Sequence, residues 1–548
     1  MRVAEVVGRA LYEHGARHVF GVVGSGNFHV TNALLAAGAR FVAAAHEGGA
    51  ASMADGFART SGTVGLLSVH QGPGVTNALT GLTEAAKSRT PMVVLAPEAT
   101  APRSNFFIDL PALATSVGAD FRRVHATHAA EDTGAAYRAA ARGATVVLGL
   151  PLEVQHAVTE PWSGPVLPVE PAPATVARVE PLLAALQAAR RPVFIAGRGA
   201  RAAREPLTRL ADACGALLAV SAAAKGLFAG DPWNIDVAGG FATPLAAELI
   251  GTADLVVAWG STLNMWTTRH GELIPPSAVV VQVDHDPAAF GVNRPVDLTV
   301  AGEVTAVAEA VLGRLDAGST GPVDTWRTPE LAQRIREHGR WRTVPYRDEG
   351  GPERAGTPAT IDPRTLSAAL DDLLPPDRTV VVDSGNFMGY PSMWLDVPDV
   401  AGFCFTQAFQ SIGLGLASAL GAAVARPDRL TVAAVGDGGF VMSAAELVTA
   451  VRLALPLLVV IYDDAAYGAE VHHFGPDGHP LETVTFPDTD LAAIARGYGC
   501  DGLTVRTVDD LGPVRRWLAG PRTRPLVVDA KVCAALGSWW LEEAFRGH

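Results

Sequence analysis

Short apolar runs ending in glycine or a polar residue recur along the whole chain. They include "VGLLSVHQGPG", "PMVVLAPE", "PVFIAGRG", "DLVVAWGS", "AVVVQVDHD", "TVVVDSGN", "TVAAVGDGG" and "PLLVVIYDD". Alanine- and leucine-rich stretches with helical spacing, such as "ALTGLTEAAKS" and "AAELVTAVRLA", lie between them. This alternation constrains the fold more than any other feature. Strands that are apolar on both faces and joined by helices pair in parallel inside a layered sandwich. The expected class is α/β, with parallel sheets flanked by helices. Ligands of such sheets collect at the carboxyl ends of the strands, where these glycines and polar residues stand.

A chain of 548 residues is too long for one core, so several domains are expected. Two stretches read as linkers: the proline-rich "EPWSGPVLPVEPAPATV" from Glu160 to Val176, and "RTVPYRDEGGPERAGTPATIDP" from Arg342 to Pro363. They give domains over 1–160, 177–341 and 362–548. With 49% hydrophobic and 18% charged residues the chain is globular, and its net charge of -13 speaks against a nucleic-acid partner. The four cysteines form no CxxC pair, which points to a reducing compartment. The longest apolar run, Leu453 to Tyr462, is about half the length needed to span a bilayer. A cytoplasmic protein without membrane partners is the expectation.

Asp437 sits between Gly436 and Gly438, just after one apolar run, and the next apolar run ends in Asp463-Asp464. Mg2+ takes about six oxygen ligands, only a few of them from protein, with phosphate and water completing the set. Two carboxylates at neighbouring strand ends suit such an ion. Gly438 and Gly439 leave backbone N–H groups open to a phosphate at a helix start.

GDG, then a helix, a strand and a polar pair, resembles the diphosphate-binding motif of thiamine-diphosphate enzymes. The branch in question contains acetolactate synthase, benzoylformate decarboxylase and pyruvate decarboxylase. "VFGVVGSGN", "HEGGAASMADGFARTSG" and "QGPGVTNALTGLTEAAKSRTPMVV" resemble its pyrimidine-binding domain. "VVQVDHDPAAFGVNRPVDLTVAG" resembles its middle domain, and "GLGLASALGAAVARPD" the glycine-rich helix before GDG in its diphosphate-binding domain. The family's usual Asn-Asn pair is here Asp463-Asp464. A second carboxylate strengthens the pull on Mg2+ but adds charge beside an anionic diphosphate. Two like charges about 4 Å apart repel by ~4 kcal/mol at an effective dielectric near 20.

The resemblance implies thiamine diphosphate and Mg2+ as cofactors, with Asp437, Asp464 and the carbonyl of Ala466 as metal ligands. It implies Glu47 as the acid that activates the aminopyrimidine ring. Ile412 would bend the cofactor, Gln410 would offer it a carbonyl, and Gly385, Asn386, Gly436, Gly438, Gly439 and Tyr467 would line it. His70, Glu470, His472 and His473 are candidates for proton transfer, and Ser25, Asn27 and Ile108 for substrate contact. Glu47 would reach cofactor held by another subunit, so a homodimer or homotetramer is implied. The reaction expected is decarboxylation of a 2-oxo acid to an aldehyde through an enamine. Carboligation or acyl transfer to a second acceptor, and a noncatalytic homologue, stand as alternatives. Gly197 to Gly199 in "AGRGARAAR", with "WGSTLNMWTTRHG", are compatible with FAD in the middle domain.

Overall fold

The structure, a computed structural model, describes residues 1–160, 162, 178–317, 326–352 and 357–541. The linker expected over 160–176 lies almost wholly outside the described residues. The apolar runs do become strands. β1 (His18–Gly21), β2 (Arg40–Ala43), β3 (Gly65–Ser68), β4 (Met92–Glu98), β5 (Asp120–Arg123) and β6 (Thr145–Pro151) form one sheet in the order β2-β1-β3-β4-β6-β5. A second sheet contains β7 (Pro192–Ala196), β8 (Leu217–Val220), β9 (Asn234–Val237), β10 (Leu255–Trp259), β11 (Val279–Asp284) and β12 (Leu298–Ala301), ordered β12-β11-β10-β7-β8-β9. The segment read as a second linker holds a small antiparallel pair, β13 (Gly351–Pro352) with β14 (Ala359–Thr360).

The third sheet contains β15 (Arg378–Val382), β16 (Phe403–Phe405), β17 (Leu430–Gly436), β18 (Leu457–Asp463), β19 (Asp501–Val505) and β20 (Leu526–Lys531). Its order is β16-β15-β17-β18-β20-β19. Strand for strand, this repeats the topology of the first sheet. Pairings within the three large sheets are parallel. β3 and β18 are buried along their whole length, as strands covered by helices on both faces must be.

The two like-ordered domains meet through a pair of helices, Glu47–Ser61 and Gly415–Ala425. Glycine allows this approach: a Cβ on Gly56 would lie 2.2 Å from the carbonyl oxygen of Ser418, and one on Gly421 only 1.9 Å from that of Met53. Their shared core includes Phe20, Met53 and Leu67 from one side with Leu416, Leu420 and Val459 from the other. The stretch expected as one helix after GDGG is broken into Asp437–Ser443, a 3-10 turn at Ala444–Glu446 and Leu447–Arg452. Among the described residues no helix is long and apolar enough to cross a membrane.

Candidate active site

β17 and β18 are paired up to Gly436 opposite Tyr462, so Asp437 and Asp464 follow at adjacent strand tips. Asp437 opens its helix with Gly436 as the capping residue. Burial first, then the charge of Asp464, pushes the Asp437 carboxyl up to about 8. Burial and the charge of Asp463 push Asp464 up to about 7. Two carboxylates this close at the strand tips hold their charge poorly without a cation, and a divalent ion would supply it. Among the described residues no group of three or more His, Cys, Asp or Glu side chains is arranged for a metal. Two carboxylates and a carbonyl such as that of Ala466 would therefore leave the remaining positions to phosphate and water.

Glycine and aromatic side chains shape the floor around these acids. A Cβ on Gly438 would stand 2.5 Å from the ring of Tyr467, and one on Gly436 3.2 Å from Phe387. Gly468 lies against Asp464 Oδ2 and Asn386. Asn386 Oδ1 accepts from Ser538 Oγ at 2.5 Å and its Nδ2 donates to the Leu536 carbonyl at 3.3 Å, tying the C-terminal segment to the site. Gly385 has φ +137°, a conformation open to glycine. Gln410, at φ +62°, directs its carbonyl to within 3.4 Å of the Ser384 hydroxyl, which donates to it. Ile412 is half-buried just beyond.

A residue not singled out in the sequence organises this loop. Asp383, fully buried after β15, accepts N–H bonds from Ser384, Gly413 and Leu414 at 2.9, 2.8 and 3.2 Å. A Cβ on Gly439 would lie 2.5 Å from Asp383 Oδ2. Burial outweighs these bonds and pushes its carboxyl up to about 6.

The second group of residues lies in the first domain. Glu47 is the first residue of its helix, and its Oε2 accepts from Asn77 Nδ2 at 3.0 Å. Glu47 and His70 share the neighbourhood of Gly74, whose Cβ would meet Glu47 Oε1 at 3.4 Å and His70 Cβ at 3.1 Å. His70 Nδ1 accepts from the Gly26 N–H at 3.3 Å, and its ring packs edge-on to Phe106 at 5.4 Å. Ser25 is exposed on the same loop. Asn27, expected at the substrate, is buried instead inside that loop. Its amide donates to the Val22 carbonyl and Ser68 Oγ, and its Oδ1 accepts from the Gly24 N–H. Ile108 is partly buried, two residues beyond Phe106.

Two further carboxylates escaped the sequence reading, and they are reciprocal. Glu446, buried on the third domain, accepts from the N–H of Ala45 at 3.1 Å and of His46 at 3.0 Å, the residues just before Glu47. Glu84, buried on the first domain, accepts from the N–H of Ala408 at 3.2 Å and of Phe409 at 2.7 Å, just before Gln410. Each stands shortly after the third strand of its sheet and holds the turn after the second strand of the other. Arg59 neutralises Glu84 at 2.8 Å. The only sequence signal was a lone acid within each of two otherwise apolar helical stretches.

Glu470, His472 and His473 lie on the short helix Gly468–Phe474, directly after the paired acids. Burial lowers the pKa of His472, opposed by a hydrogen bond with the Ala534 backbone. The His473 ring packs edge-on to Phe474 at 4.6 Å. A cavity of about 1070 Å3 opens between the domains, lined by Gly197, Gly260 and Arg294 of the middle domain, Lys87 of the first and Gln410 of the third among others.

Three family models of the thiamine pyrophosphate enzymes match the chain. The N-terminal cofactor-binding domain matches residues 1–118, the central domain 179–311 and the C-terminal cofactor-binding domain 383–530. A Pseudomonas aeruginosa protein named probable 2-ketoarginine decarboxylase is 30% identical, over 93% of this chain and 89% of its own length. The sulfoacetaldehyde acetyltransferase of Alcaligenes xylosoxydans is 28% identical, over 91% of this chain and 87% of its own. In fold, the chain is similar to the thiamine-diphosphate-dependent 4-hydroxybenzoylformate decarboxylase of Rhodococcus jostii. The TM-score is 0.79 at 22% identity, covering 97% of this chain and 99% of that one. With all three domains matched in order along three parallel sheets, the chain belongs to the thiamine-diphosphate-dependent enzymes.

Proposed function

We propose that the protein is a thiamine-diphosphate- and Mg2+-dependent enzyme that cleaves a 2-oxo acid, releasing CO2 and an aldehyde. The observation that carries this reading is the pair of carboxylates, buried Asp437 and half-buried Asp464, at adjacent strand tips beside a glycine floor. Asp437, Asp464 and the Ala466 carbonyl would hold the metal, while the amides of Gly438 and Gly439 would meet the diphosphate. When bound, the cofactor supplies a carbon nucleophile and an electron sink for the carbon–carbon cleavage.

The chain's own residues bind, orient and move protons. Glu47, in the first turn of its helix, holds a carboxyl for the aminopyrimidine ring. Glu446 and Glu84 fix the turns that carry Glu47 and Gln410. His70 receives the Gly26 N–H on Nδ1, so its own proton rests on Nε2, where it serves as a donor to substrate. Glu470, His472 and His473 supply further proton carriers on the neighbouring helix. Ser25, exposed on its loop, offers a hydroxyl to the substrate carboxylate.

Glu47 and the metal ligands belong to different domains, and we read the active unit as at least a homodimer. The helix opened by Asp437 supports this with exposed apolar side chains, Val441 at 58% and Met442 at 59%. Light scattering of the purified protein would return twice the chain mass or a higher multiple; a monomeric mass argues against it.

A bound FAD would lie in this cavity, against the middle-domain sheet. The order of this sheet reverses between β7 and β10, and each of these strands is followed by a glycine turn, at Gly197 and Gly260. Such a switch point is where dinucleotides bind in doubly wound sheets. Arg294, on the cavity wall, has buried guanidinium nitrogens without a hydrogen-bond partner, as a site for an anion requires. A flavin absorbance spectrum in the purified protein would establish FAD, and a colourless protein would count against it.

Product analysis by mass spectrometry tests the reaction, using a panel of 2-oxo acids with and without aldehyde acceptors. An aldehyde that disappears with Glu47→Ala is expected. The acetyltransferase relative favours one other reading, transfer of the two-carbon unit to an acceptor. A coupled or acylated product would establish that instead.

A further inference from the structure

Asp463 does not stand free beside Asp464. It is the last residue of β18 and lies in register with Lys531, the last residue of β20. Lys531 Nζ donates to Asp463 Oδ2 at 2.5 Å, and both side chains are buried. Asp463 Oδ1 accepts in turn from the Ala465 N–H at 2.9 Å. Ala465 has φ +54°, so the strand turns sharply just after Asp464. Both oxygens of Asp463 are thereby engaged, Oδ2 by β20 and Oδ1 by its own following turn, whereas Asp464 lies against Asn386 and Gly468.

Lys531 gathers more than one acid. It reaches Asp488 at 2.8 Å, Asp529 at 3.2 Å and the Thr489 carbonyl at 2.7 Å. Asp529 also accepts from the Leu491 N–H at 3.1 Å, and Arg506 meets Asp488 at 2.9 Å. The residues just before this segment cover the acid pair: Phe486 N–H donates to the Ala465 carbonyl at 2.7 Å and Tyr467 N–H to the Val484 carbonyl at 2.8 Å. One ammonium group thus ties the end of β18 to the stretch packed over it.

We propose that Lys531 is a positioning residue for the metal site: it neutralises Asp463 and fixes its orientation, so that Asp464 alone joins Asp437 as a ligand. This rests on the reading of Asp437 and Asp464 as metal ligands. The physical reason is that a buried carboxylate without a partner either takes up a proton or turns to the nearest cation. Beside this site the nearest cation would be the metal. A third carboxylate on one divalent ion would compete with the diphosphate and displace Asp464. With Lys531 in place, an acidic pair offers one ligand and carries one compensated charge.

Mn2+ titrated into the thiamine-diphosphate-loaded protein, followed by electron paramagnetic resonance, gives a readout independent of turnover. Melting temperature is recorded in parallel. Lys531→Met is expected to weaken Mn2+ binding by about tenfold or more, the usual effect of losing a residue that orients a ligand. Asp463→Asn alone is expected to leave binding unchanged. Adding Asp463→Asn to Lys531→Met is expected to restore it to within about twofold, since the two residues act as one unit. If Lys531→Met does not fold, Lys531→Gln, which keeps a donor but removes the charge, takes its place with the same outcomes. Wild-type Mn2+ binding in Lys531→Met, with only a lower melting temperature, would make Lys531 merely structural and overturn the proposal. So would weakened binding in Asp463→Asn alone, which would make Asp463 a ligand. Asp464→Ala binding Mn2+ as tightly as wild type would remove the metal reading itself, and the proposal with it.

Discussion

Glu47 owes its setting to a carboxylate 400 positions further along the chain from its neighbour His46. Glu446 receives two consecutive backbone N–H groups and the Thr449 hydroxyl, and its burial raises its pKa. Glu446→Gln keeps the shape and one acceptor oxygen but leaves an amine facing those donors. Turnover should fall by about tenfold to a hundredfold, as for a small misplacement of a reacting group. Thiamine diphosphate affinity, measured by fluorescence quenching, should change far less. Glu47→Gln removes the proton-carrying group itself and should lower turnover by about 10²- to 10⁴-fold. Equal turnover in Glu446→Gln and wild type would show that the turn holds without its carboxylate.

At the scale of elements, the contact between helices Glu47–Ser61 and Gly415–Ala425 is made by backbone against backbone. Gly421→Val has no space for its side chain above the Met53 carbonyl. It should destabilise the fold by about 1–3 kcal/mol or more, read as a lower urea midpoint. This scale also shows what sequence can and cannot carry. Strands such as "PLLVVIYDD" were legible because an apolar run between turn residues marks itself locally, and Asp437 because glycines flank it. Lys531, Glu84 and Glu446 were not. Their partners are set by which strands lie side by side, and the pairing of β18 with β20 skips β19. Asn27 looked available beside exposed Ser25, yet Ser68 at the end of β3 binds its amide. The helix after GDGG was expected unbroken, but a 3-10 turn at Ala444–Glu446 interrupts it, the same turn that carries Glu446 toward the other domain.

For the whole molecule, the two proposed metal ligands would couple metal binding to pH. The folded-state values of Asp437, about 8, and Asp464, about 7, lie above the ordinary carboxylate range. Each therefore favours the metal-free fold while protonated, a contribution lost as pH rises from that range to about 8. Mg2+ held there would displace these protons, so its binding should tighten over the same interval. The rise in melting temperature given by Mg2+ with thiamine diphosphate should be larger at about pH 8.5 than at about pH 6, by differential scanning fluorimetry. A pH-independent rise would mean that other groups hold the ion.

The long reach from Glu446 back to Ala45 and His46 has a consequence for synthesis. The first domain leaves the ribosome hundreds of residues before Glu446 is made, so its turn emerges without the carboxylate that shapes it. Only when translation has passed the GDG motif can the acid-bearing helix settle. A nascent or prematurely terminated chain therefore carries Ala45, His46 and Glu47 without the carboxylate that holds their turn. The grip on this turn comes late, after the first two sheets are made and while the third is still being completed.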